Sequence, residues 1–177
     1  MSVRLDVLIA SLAFAAALGL APVAVADPAD DHPAPDHPGE QAVDPYTPSD
    51  ANAGAAPTRD AGLFNAFHGK AGIGRIVDGL VDRSVADPRI AEIFKNQDLV
   101  RLRRTLKEQF CYLLGGGCVY TGRDMKTAHK DMGIQDADFN ALVENLELAM
   151  TQEGVSNRAQ NKLLAILAPM HRDMARQ

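Results

Sequence analysis

Catalytic signatures are what the 177 residues most plainly lack. There is no H-E-x-x-H, no G-x-S-x-G, no C-x-x-C-H, and no glycine loop followed by Lys-Ser or Lys-Thr. Hydrolase and nucleotide-binding readings fall away with them. Tryptophan is absent, and cysteine is limited to Cys111 and Cys118. No stretch of the second half alternates apolar and polar residues as a strand would, so no sheet is predicted. Positive charge is not in excess either. The net charge is −5, and eight acids against Arg59 in residues 27–60 account for it. The rest is nearly neutral and carries no basic footprint for nucleic acid.

What is present divides the chain into three segments. Residues 7–25 are apolar without interruption, follow a start containing Arg4, and lead into Ala24-Val25-Ala26. Small residues at Ala24 and Ala26 fit a signal-peptidase site, and Pro22 interrupts the helix just upstream. Residues 1–26 therefore read as an export signal, with an uncleaved membrane anchor as the alternative, because the run approaches the ~18–20 residues that span a bilayer. Both place the domain outside the cytoplasm, periplasmic or secreted. Residues 27–60 hold seven of the ten prolines, show neither helical nor strand period, and are expected to be a disordered, solvated linker. Residues 61–177 are long enough for one compact core and too short for two.

In that last segment the apolar residues recur at helical spacing, which predicts an all-α domain. Short helices are expected at 61–67, 88–94 and near 125–130. Longer ones are expected at 71–86, from a cap at Asp98 to the glycines 115–117, at 136–152 and at 156–175, with a kink at Pro169. The architecture implied is two long helix pairs joined by irregular segments.

Three histidines lie in the domain. His68 falls in a predicted turn and His171 near the C-terminus, and both read as structural. His129 stands on a short helix flanked by loops, with Met125 and Ala128 on its side. Cys111 and Cys118 flank the glycine loop. They read as a structural disulfide formed in an oxidising compartment, with two free thiols or a redox couple as the alternatives.

Taken in order, Val85-Ala86-Asp87-Pro88-Arg89-Ile90, Phe94, Gly115-Gly116, Tyr120-Thr121-Gly122-Arg123-Asp124-Met125, Ala128-His129, Met132-Gly133-Ile134, Asp138-Phe139 and Ala168-Pro169 resemble a group I truncated haemoglobin. The similarity covers nearly all of residues 61–177. It implies a two-over-two helical sandwich holding haem b, with His129 as the proximal iron ligand. Phe94, Leu102, Leu106, Phe110, Met125, Ile134, Phe139, Leu142 and Leu146 would line the cavity.

The distal side departs from the family pattern of a tyrosine on the second helix and a glutamine or histidine on the fourth. Val81, Leu102 and Leu106 stand at the matching positions, and none carries a donor. Gln109 and Thr105 are the nearest polar candidates. Arg103, Arg104, Lys107, Arg123 and Lys126 are candidate partners for the haem propionates. The function implied is reversible binding of a diatomic gas: oxygen, carbon monoxide or nitric oxide. The alternative is an enzyme, a nitric oxide dioxygenase or a peroxidase-like protein, which would require a redox partner.

Overall fold

The computed structural model describes residues 37–174. The expected export signal and the first part of the expected linker, with His32, lie outside the described residues. Among the described residues eight α-helices follow one another: α1 Leu63–Ala66, α2 Gly69–Ala86, α3 Ala91–Phe94, α4 Leu99–Leu113, α5 Met125–Ala128, α6 Asp136–Gln152, α7 Asn157–Leu167 and α8 His171–Met174. Among the described residues there is no strand, and no helix is long and apolar enough to cross a membrane.

Local chemistry sets the boundaries. The Asp98 carboxylate accepts from the Val100 and Arg101 backbone N–H groups, both at 3.0 Å, and so starts α4. That helix stops where Gly115 takes a left-handed φ of +80°, a conformation glycine adopts without the steric cost of a Cβ. At the start of α6 the Asp138 carboxylate accepts from Gln135 N at 2.9 Å, and Ser156 caps α7 through Ala159 N. The helix expected over 156–175 is broken by a 3-10 turn at Ala168–Met170. Pro169 supplies the cause, since it offers no N–H and its ring crowds the preceding turn.

The long helices pack as the apolar stripes require. α2 lies between α4 and α6, and α7 packs on α6. The main core joins Ile73, Ile76, Val77, Leu80 and Val81 of α2 to Phe110 of α4, Leu146 and Met150 of α6, and Leu163 of α7. Each such side chain contributes about 1.5–3 kcal/mol on burial. A smaller cluster gathers Ala53, Leu113, Tyr120, Met125 and Met170. It ties the end of α4 and the start of α5 to the 3-10 turn before α8 and to a residue of the expected linker.

That last residue marks a correction. Composition makes residues 27–60 an extended, solvated tether, but 37–60 lie against the domain. Glu40 and Ala53 are buried, Ser49 caps a 3-10 turn at Asp50–Ala53, and Thr58 N donates to Leu113 O at 2.8 Å. The helices themselves supply the partners that the linker's own sequence does not reveal.

Candidate functional site

His129 is positioned by a single helical turn. Asp124 opens α5 by accepting from Thr127 N at 2.9 Å, and His129 closes it as the C-terminal cap. The imidazole Nδ1 lies 2.7 Å from Met125 O. A carbonyl can only accept, so Nδ1 carries the proton and Nε2 keeps its lone pair. Burial pushes the imidazole pKa below its ordinary value, against the weaker opposing pull of the Met125 carbonyl. The ring is therefore a neutral donor base with one nitrogen tied and the other free, the arrangement that orients a metal-ligating histidine.

The rest of the site is apolar. Val81 is buried on α2. Leu102 and Leu106 on α4, Phe94 at the end of α3, Ile134 before α6, and Phe139 and Leu142 on α6 are half-buried. Leu102, Leu106 and Leu142 pack on the main core, while Phe94, Ile134 and Phe139 belong to neither buried cluster. The His171 ring meets Phe139 edge-on with centroids 4.6 Å apart. Phe110 and Leu146 lie in the main core and Met125 in the smaller one.

This donor set fits haem. Among the described residues no group of three or more His, Cys, Asp or Glu side chains converges to hold a bare metal ion. One neutral imidazole, together with half-buried apolar side chains on α3, α4 and α6, suits an iron whose equatorial ligands come with a flat apolar macrocycle.

Polar side chains are turned elsewhere. Gln109, the candidate distal donor, is buried, and its amide nitrogen donates to Ala53 O at 2.9 Å with Met125 Sδ at 3.4 Å. It faces the smaller cluster. Thr105 Oγ1 donates back to Arg101 O at 3.0 Å, which uses its only proton.

Four of the five candidate propionate cations are likewise engaged, while Lys126 is exposed. Arg103 pairs with Asp78 and Asp82, Lys107 with Asp78, and Arg104 with Glu40 and Glu108. Arg123 donates to Asp44 O at 2.8 Å. The sequence shows these as a basic face; Glu108 lies one turn along the same helix, but Asp78, Asp82 and Glu40 come from other parts of the chain.

Cys111 and Cys118 form a disulfide, joining α4 to the segment that leads toward α5. Two features escape sequence reasoning. One is the carboxylate of Glu40 between Arg101 and Arg104. The other is the Ser84 hydroxyl, wholly buried one turn beyond Val81 and without a hydrogen-bond partner.

Comparison with known proteins agrees with this geometry. A family model described as bacterial-like globin matches residues 62–176. A group 1 truncated hemoglobin of Tetrahymena pyriformis is 32% identical over 90 residues, covering 51% of this chain and 74% of that protein. Another, from Synechocystis, is 30% identical and covers 65% and 98%.

Among solved structures, the Fe(III) form of truncated hemoglobin from Tetrahymena pyriformis superposes with a TM-score of 0.63 at 27% identity, covering 65% of this chain and 98% of that one. The 2/2 hemoglobin of Synechococcus, solved in the cyanomet state with covalently attached heme, gives 0.60 at 27% identity over 63% and 96%. The chain belongs to the bacterial-like globin family, as a truncated hemoglobin.

Proposed function

We propose that this protein holds haem b through His129 Nε2 and binds a diatomic gas against the apolar wall of Val81, Leu102 and Leu106. The observation that carries the reading is the half-buried neutral imidazole of His129, whose Nδ1 is committed to Met125 O and whose Nε2 keeps its lone pair. Haem, held by His129, would supply an iron able to bind the gas. The chain's own residues do the rest. Met125 O fixes the tautomer and direction of the imidazole, and Phe94, Ile134, Phe139 and Leu142 offer the apolar surface a porphyrin needs. Val81, Leu102 and Leu106 leave the gas without a hydrogen-bond donor.

The commitment of Gln109 and Thr105 to backbone carbonyls favours gas binding over nitric oxide dioxygenation, which needs oxygen held long enough to react. The proposal includes an extracytoplasmic address, supported by the apolar run 7–25 and the Ala24-Val25-Ala26 site.

The distal half of the reading is tested by oxygen release. A donor to the bound gas is worth about 1.5–3 kcal/mol as a hydrogen bond to a charged group, which is roughly ten- to a hundredfold in rate. Val81→Tyr should slow oxygen dissociation from the ferrous haem protein by that factor relative to Val81→Phe, which matches its bulk without the hydroxyl. Equal rates in the two variants would contradict an apolar, donor-free wall at this position.

A further inference from the structure

We infer that residues 40–53 form a strap that holds His129 in its ligating position, with Tyr46, Asp50 and Asn52 as positioning residues; this rests on haem ligation by His129. The segment has the composition of a tether, yet its polar contacts concentrate on two places. One is α4. The Glu40 side chain is 1% exposed, accepts from Arg104 Nε at 2.5 Å and Nη2 at 3.0 Å, and lies 3.2 Å from Arg101 Nε. Gln41 N donates to Asp98 at 2.7 Å, and Arg101 returns a hydrogen bond to Gln41 O. Farther on, Ala53 O accepts from Gln109.

The other place is residues 120–123. Tyr46 Oη donates to Thr121 O at 2.8 Å and Asn52 Nδ2 to Gly122 O at 3.2 Å. Tyr120 N donates to Asp50 Oδ1 at 2.8 Å, and Arg123 donates to Asp44 O at 2.8 Å with its guanidinium over the Tyr46 ring. The strap thus fastens the helix of the distal wall to the four residues that immediately precede Asp124, the cap of α5.

That location matters because α5 is a single turn. So short a helix has no stability of its own, and its place is dictated by its flanks. On its N-terminal side the flank is 120–123, where the chain is tightly folded. Tyr120 Oη reaches over Gly122 to donate to Arg123 O at 3.0 Å, and a Cβ at Gly122 would stand 2.2 Å from that hydroxyl. The strap closes on this turn from outside and fixes the direction in which α5 leaves it. His129 follows four residues after the first residue of α5.

The test uses the full chain and a Tyr46→Phe/Asn52→Ala double variant, which removes two contacts to 121–122 and leaves the Glu40 anchor intact. Three readouts are taken: haem stoichiometry, the rate of haem loss to excess apomyoglobin, and the iron–histidine stretching band of the ferrous protein by resonance Raman. The variant should still bind one haem per chain and keep its helical circular dichroism. It should lose haem about tenfold faster, as two net-stabilising hydrogen bonds would dictate, and its iron–histidine band should shift or broaden.

Hydrogen exchange on the haem-free chains supplies a second measure, with amides of 120–129 exchanging faster in the variant. Unchanged haem loss and an unchanged band would overturn the strap's role, as would unchanged exchange at 120–129. Failure of the unmodified chain to take up haem would instead overturn ligation by His129.

Discussion

Ser84 shows how a residue can carry a cost that its neighbours do not. It lies on α2 three residues beyond Val81, and its hydroxyl is enclosed and unpaired. A buried hydroxyl without a partner costs about 1–3 kcal/mol. Ser84→Ala removes it without leaving a large void, so the variant should be more stable by about 1 kcal/mol in urea unfolding of the haem-free chain. A loss of stability of similar size would show that the hydroxyl has a partner after all.

Residue types at the site were largely legible, because the Asp124 cap, the short helix and His129 are adjacent in sequence. Directions were less so. Gln109 reads as a distal donor from its place on α4. It turns away because Ala53 and Met125, distant in sequence, offer its amide a carbonyl and a sulfur.

At the scale of elements, the six predicted helical stretches from α1 through α6 stand near their expected places, because caps, glycines and apolar spacing are local signals. Pro169 likewise marks the break between α7 and α8. The strap was illegible for the opposite reason. Glu40 is one acid among eight in residues 27–60, and it is distinguished only by meeting Arg101 and Arg104, far along the chain.

The disulfide occupies a different position. Cys111 is buried near the end of α4 and Cys118 lies beyond the glycine loop, so the bond restrains the segment that leads to 120–123. Closing so short a loop is worth about 2–3 kcal/mol in the chain-entropy account. Cys111→Ser/Cys118→Ser should lower the unfolding free energy by about that amount, measured by denaturant titration under non-reducing conditions. An unchanged midpoint and slope would mean that the loop is equally restricted without the bond.

For the molecule as a whole, sequence and structure meet in a helical sandwich whose polar groups are consumed at its edges. Carboxylates from α2, α4 and the strap take up Arg103, Lys107 and Arg104. The Arg104 guanidinium in turn holds the Glu40 carboxyl below its ordinary pKa, against the opposing effect of burial. What the candidate site keeps is an apolar wall at Val81, Leu102 and Leu106 and one neutral imidazole at His129.

The most direct test of that account is haem titration of the full chain beside its His129→Ala variant, followed in the ferric, ferrous and carbon monoxide-treated states. The unmodified chain should saturate at one haem with a histidine-ligated ferrous spectrum that responds to carbon monoxide, and the variant should fail to retain haem stably. Equal haem retention and equal spectra in the two chains would contradict ligation by His129.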